Sequence, residues 1–98
     1  MMRPYQKKKP WRSNAYLIYI RQQSCIICQH PETDAHHVRI QSNAGTGIKP
    51  SDFYGVPLCR LHHLESHHYG RNTFFERHGV DIFEELFKIV AGFLKEET

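Results

Sequence analysis

The sequence predicts one small α+β domain in which short strands and helices surround a core that needs an added staple. Three observations point there. The chain has 98 residues, room for a single domain, and at that length folding buries only about two-thirds of the surface an unfolded chain exposes. Strand-like and helix-like stretches are short and interspersed. Two Cys/His pairs of equal internal spacing, Cys25/Cys28 and Cys59/His62, stand with 30 residues between them.

Composition removes several classes. Hydrophobic residues make up 40% and the mean hydropathy is −0.58, a globular balance. The longest apolar run, Ala15–Ile20, is far short of the ~20 residues that span a bilayer. Three Cys is an odd number with no secretory signal ahead of it, so neither a membrane protein nor a disulfide-stapled secreted one is expected. The net charge is only +3, but it is unevenly placed. Arg3, Lys7, Lys8, Lys9, Arg12 and Arg21 precede the first acid, Glu32, whereas Glu76, Asp81, Glu84, Glu85, Glu96 and Glu97 gather at the other end. A polyanion approached from one side would suit that asymmetry.

Residues 1–12 read as a flexible basic arm, since two prolines and a lysine run leave no apolar period. Residues 13–98 then form the domain. Ser13 or Asn14 caps a helix over about 15–22, with a strand as competitor because of its β-branched content. A strand is expected over Asp34–Ile40, a loop over Gln41–Asp52, and a second short strand around Val56–Leu58. Arg60–Tyr69 reads as a helix, with Leu61 and Leu64 as apolar neighbours and Gly70 as its cap. Thr73 and Glu76 form a capping box for a short helix to about His78, and Asp81 opens a last amphipathic helix. That last helix packs into the core under Phe74 and Phe75, although its wide apolar face could instead serve a dimer.

The chemistry sits in the Cys and His residues. Cys25, Cys28, Cys59 and His62 can surround one tetrahedral Zn²⁺ and use every Cys. A redox dithiol lacks its alternating βαβ context, and a C₂H₂ finger fails because adjacent His36 and His37 cannot both reach one ion from a strand. Binding energy at such a zinc acts as folding energy, which meets the small-core problem. Seven of the eight His remain. His36 and His37 point to opposite faces of their strand, whereas His63 and His67 share one helical face. His36, His63 and His67 together make a natural three-imidazole site with open positions, and open sites suit catalysis.

In Cys25/Cys28, Ala35-His36-His37, Gly45-Thr46-Gly47 and Leu58-Cys59-Arg60-Leu61-His62-His63 followed by His67, the chain resembles an HNH endonuclease of the ββα-metal type. The resemblance covers about residues 24–70, with the helices of 73–96 flanking it. It extends, through residues 35–39 and 47–50, to small prophage-encoded nucleases that include the RecA-dependent Ref type. It implies a zinc-stapled ββα-metal domain that hydrolyses DNA phosphodiesters in the cytoplasm of a bacterial or phage-infected cell. By position, His37 matches the family's general base, His36 the ligand before it, and His63 and His67 the helix-borne ligands. His62 stands where the family usually has a fourth Cys. The middle Asn that orients the base has two candidate counterparts here, Asn43 and Asp52.

On that reading a divalent ion, Mg²⁺, Mn²⁺, Ni²⁺, Co²⁺ or Zn²⁺, sits on His36, His63 and His67, and Arg39 on the same strand face as His37 holds the phosphate. Lys7, Lys8, Lys9, Trp11, Arg12 and Lys49 are the candidate DNA contacts, with stacking by Trp11. DNA is the expected partner, a RecA-type filament is implied by resemblance only, and no membrane is involved. The rival reading is a non-catalytic, zinc-bound DNA-binding or adaptor module.

Overall fold

Ser13 sets the start of the first helix. Its backbone is extended and its Oγ accepts the Tyr16 amide at 3.1 Å, so α1 runs Asn14–Arg21. The structure, a computed structural model, describes residues 10–39, 49–69 and 73–97. Helix wins over the competing strand in α1 because Tyr16, Tyr19 and Ile20, three and four apart, are the side chains it buries. Next come β1 (Asp34–His37), a 3₁₀ turn (Asp52–Tyr54), β2 (Gly55–Leu58), α2 (Arg60–Tyr69), α3 (Thr73–Arg77) and α4 (Ile82–Glu97). The result is a small mixed α+β fold around a two-stranded sheet.

The strands pair antiparallel, with Asp34 opposite Leu58, His36 opposite Val56 and His37 opposite Gly55. A side chain at Gly55 has no room, since a Cβ there would lie 2.7 Å from Ile20 Cδ1 and 3.1 Å from the Asp52 carbonyl oxygen. β1 is shorter than the sequence implies. One further bond, Val38 N–H to the Tyr54 carbonyl at 2.9 Å, follows the ladder. The partner chain has by then turned into the 3₁₀ segment, so no strand remains to pair with. Arg39, expected on the strand beside His37, therefore lies past the strand end and is exposed.

Two other expectations are corrected. α2 turns outward the residues that suggested it: Leu61 and Leu64 are 69% and 61% exposed. Its inward side carries His62, His63 and Ser66, so this helix is positioned by polar side chains rather than an apolar stripe. The basic arm also ends earlier than residue 12. Trp11 stacks on Phe53 with centroids 4.0 Å apart and meets the edge of Tyr16, and its carbonyl accepts the Asp52 amide at 2.9 Å. Arg12 donates to the carbonyls of Lys49 and Pro50. Trp11 and Arg12 are thus packed parts of the domain. Lys7, Lys8 and Lys9, Ile40, Asn43, the Gly45-Thr46-Gly47 loop and Gly70 lie outside the described residues.

One contiguous core joins Tyr16, Ile20, Val38, Val56, Leu58, Phe74, Phe75, Ile82, Leu86 and Ile89. Gly79, in the left-handed region at φ 66°, turns the chain out of α3, and Asp81 Oδ1 then accepts the Glu84 amide at 3.2 Å to open α4. α4 commits only part of its apolar surface to the core, because Phe83, Phe87 and Leu94 remain exposed. No helix among the described residues is long and apolar enough to cross a membrane.

Tyr16 is fully buried, yet its hydroxyl has no hydrogen-bond partner among the described residues. Burial, reinforced by Tyr19, pushes its pKa from 10.0 to about 12. Tyr16→Phe removes an unsatisfied group and should leave the denaturation midpoint unchanged or raise stability by up to ~1 kcal/mol. Between pH 10 and about 12 the unfolded phenol loses its proton while the folded one keeps it, so stability falls with rising pH. That alkaline loss should shrink in Tyr16→Phe, as read by chemical denaturation across the window.

Candidate metal centres and a histidine–aspartate pair

The first cluster is built by a tight turn and a strand end. The Cys25 carbonyl accepts the Gln29 amide at 2.8 Å, the Cys25 amide donates to the His30 carbonyl at 2.9 Å, and Gln29 closes the turn at φ 63°. Ile26 N–H to the Pro57 carbonyl at 3.1 Å fastens this knuckle to β2. Cys59 follows β2 directly, and His62 lies in the first turn of α2. Cys28 Sγ and Cys59 Sγ are 3.8 Å apart, and His62 Nδ1 is 3.2 Å from Cys59 Sγ and 3.7 Å from Cys25 Sγ. A tetrahedral ion with S at about 2.3 Å and N at about 2.0 Å puts S–S edges near ~3.8 Å and S–N edges near ~3.5 Å. The cluster therefore has the dimensions to hold a metal ion such as zinc, with all four donor atoms within 4.8 Å of one another. Burial alone would raise the Cys25 pKa. The amides of Cys59, Cys28 and Ile27 and the His62 ring outweigh it and bring the thiol to about 6, favouring the thiolate that metals bind.

The second cluster spans β1 and α2. His36 projects toward α2, where its ring centroid lies 5.0 Å from that of His63 and 5.6 Å from that of His67, and these two are 4.9 Å apart. The three imidazoles each bring a nitrogen within 4.8 Å of the others. Burial, then the neighbouring His63 and His67, push the His36 pKa from 6.5 to about 4 and keep it a neutral donor. Asp34, two residues before His36 on the same strand face, places Oδ2 3.3 Å from His63 Nδ1. A carboxylate on one imidazole nitrogen leaves the other for a metal. Arg60 Nε, 3.6 Å from the same oxygen, anchors that carboxylate from outside. His67 is exposed, so the donor set is open on one side, and three imidazoles suit Zn²⁺, Ni²⁺ or Co²⁺ better than Mg²⁺.

His37 goes the opposite way because successive side chains alternate across a strand. Its Nε2 meets Asp52 Oδ1 at 2.8 Å. Asp52, 1% exposed, also accepts the Ser13 amide at 2.8 Å and lies 3.4 Å from the Arg12 guanidinium. A carboxylate can only accept here, so Nε2 carries the proton and Nδ1 presents a lone pair. Burial lowers the His37 pKa, and Lys49 and Arg12 lower it further, against the opposing pull of Asp52. Burial would raise the Asp52 pKa, but His37, the Ser13 amide and Arg12 hold it below the ordinary value. Lys49 and Arg12 flank this group.

Some of these residues escape sequence reasoning. Asp34 has the strand period as its only signal, being two before His36. The clamp of Arg12 on Asp52 bridges 40 positions and has no local signal at all.

Metal stripping and a single substitution test the two clusters separately. A strong chelator should lower the thermal midpoint of the wild-type chain by removing the ion of the Cys₃His cluster, with recovery on adding Zn²⁺. Asp34→Asn should leave that tight ion in place and weaken binding at His36, His63 and His67 by about 10–100-fold, read by isothermal titration with Zn²⁺ or Ni²⁺. An unchanged second affinity would separate Asp34 from that site.

Comparison with known proteins adds a family. "Uncharacterized protein YdfU" of Escherichia coli (strain K12) is 36% identical over 61 residues, which are 62% of this chain and 18% of that protein. The match thus takes in under a fifth of that relative's length. No solved structure matches the chain. The model of the family described as "Protein of unknown function (DUF968)" matches residues 1–91, and the chain belongs to that family.

Proposed function

We propose that this protein is a metal-dependent DNA endonuclease of the HNH type, with a zinc-stapled ββα-metal core. The observation that carries the reading is the division of labour between His36 and His37. Adjacent on β1, one joins a three-imidazole cluster and the other gives its Nε2 proton to a buried carboxylate, so that Nδ1 carries the basic lone pair. A protein that only binds DNA has no use for that second arrangement.

In this mechanism Asp52 orients His37 and fixes its tautomer. Nδ1 of His37 takes a proton from a water whose oxygen attacks phosphorus. The P–O3′ bond breaks, and the leaving oxygen acquires a proton from solvent. A divalent ion on His36, His63 and His67 would supply Lewis-acid stabilisation of the phosphate charge. Arg12 and Lys49, beside the His37–Asp52 pair, give the surface the positive potential that draws a phosphodiester backbone. Asp52 takes the part that the resemblance assigns to the middle Asn.

The test is plasmid nicking with Mg²⁺, Mn²⁺, Ni²⁺, Zn²⁺ or chelator, with and without a recombinase filament. His37→Ala should lower cleavage by about 10²–10⁴-fold while retaining metal content, since a positioned base contributes that much. Metal-dependent cleavage that survives His37→Ala would move the base elsewhere. No cleavage of single-stranded, duplex or branched DNA, with or without the filament, would leave the DNA-binding or adaptor module as the better reading.

A further inference from the structure

His62 belongs to two donor sets. Its Nδ1 faces the sulfurs of Cys25 and Cys59, which leaves Nε2, across the ring, for another partner. Near the same ring stand Glu65, three residues on and therefore on the same face of α2, and His78, just after α3. His62, Glu65 and His78 each offer a donor atom within 4.8 Å of the others. His78 Nε2 and Glu65 Oε1 are 2.7 Å apart. The His78 ring meets that of His62 at 85° with centroids 5.4 Å apart. Both rings rest on Phe74, whose own ring is buried in the core, at 4.7 Å from His78 and 6.2 Å from His62.

We propose that His62, Glu65 and His78 form a third, exchangeable divalent-cation site fused to the Cys₃His centre through the imidazole of His62. Two imidazoles and a carboxylate are the donor set of open zinc sites. A cation about 2.0 Å from each would hold the His78 nitrogen and Glu65 oxygen ~3.3 Å apart, so the present 2.7 Å contact must open by ~0.6 Å. The Glu65 and His78 side chains are 33% and 29% exposed, which allows that movement and lets the ion exchange with solvent. Phe74 fixes the ring positions, so little ordering is needed on binding. With both sites filled, the His62 ring would lie between the Cys₃His ion and this cation. The site is independent of the nuclease reading but rests on occupancy of the Cys₃His cluster.

The experiment uses the full chain carrying His36→Ala, which removes the three-imidazole cluster from the count. Equilibrium dialysis with Zn²⁺ should show one tight and one weak ion per chain. Adding Glu65→Gln or His78→Gln should abolish the weak ion and leave the tight one. The thiolate-to-Co²⁺ charge-transfer band of a cobalt-loaded Cys₃His cluster should keep its intensity in those variants. Cu²⁺ placed in the weak site of the cobalt-loaded chain should show an electron spin resonance signal broadened by coupling through His62. Equal Zn²⁺ stoichiometry in parent and Glu65→Gln, or an uncoupled Cu²⁺ signal, overturns the proposal. Absence of the thiolate band in the parent chain itself would instead overturn the Cys₃His reading on which it rests.

Discussion

A carboxylate sealed from water must be met by donors, and Asp52 organises the fold by that requirement. At 1% exposure it gathers the Ser13 amide, the Arg12 guanidinium and the His37 ring. The donors come from two distant parts of the chain: the adjacent Arg12 and Ser13 at the entry of α1, and His37 at the end of β1. The 3₁₀ turn that carries Asp52 is closed from the same side by the Trp11 carbonyl and the stacked Phe53. Loss of the carboxylate would therefore loosen the helix entry and the candidate base together.

The same economy governs α2. This helix buries only Ser66 fully, and its two leucines face outward. Its inward contacts are made by imidazoles, His62 toward the cysteines and His63 toward Asp34 and His36. In a chain this short, a metal ion held by these side chains would do for α2 what an apolar stripe does for α4. The consequence is that the helix position and the candidate chemistry cannot be varied independently.

Three donor clusters thus radiate from α2 and share its register. His62 and Glu65 look toward α3, His63 and His67 toward β1, and His62 also toward the knuckle. A one-residue change of register in β1 would exchange the faces of His36 and His37 and dismantle both the three-imidazole cluster and the His37–Asp52 pair. Gly55, opposite His37, holds that register at close quarters, because nothing larger fits between Ile20 and the Asp52 carbonyl.

Local patterns in the chain were enough to place the first helix cap at Ser13 or Asn14 and the last at Asp81, the amphipathic period of α4, and the matched Cys/His spacings. These signals lie within a turn or two of one another, or repeat at a fixed interval, and so survive without knowledge of the fold. The opposite faces of His36 and His37 follow from strand geometry in the same way. Long-range approach is different, because no short-range rule brings Arg12 to Asp52, Asp34 to His63 or His78 to Glu65. The choice of Asp52 as partner for His37, the early end of β1 and the outward leucines of α2 were all settled by packing. In each case burial and charge pairing across distant segments outweighed local preference, and those terms exist only once the chain has folded.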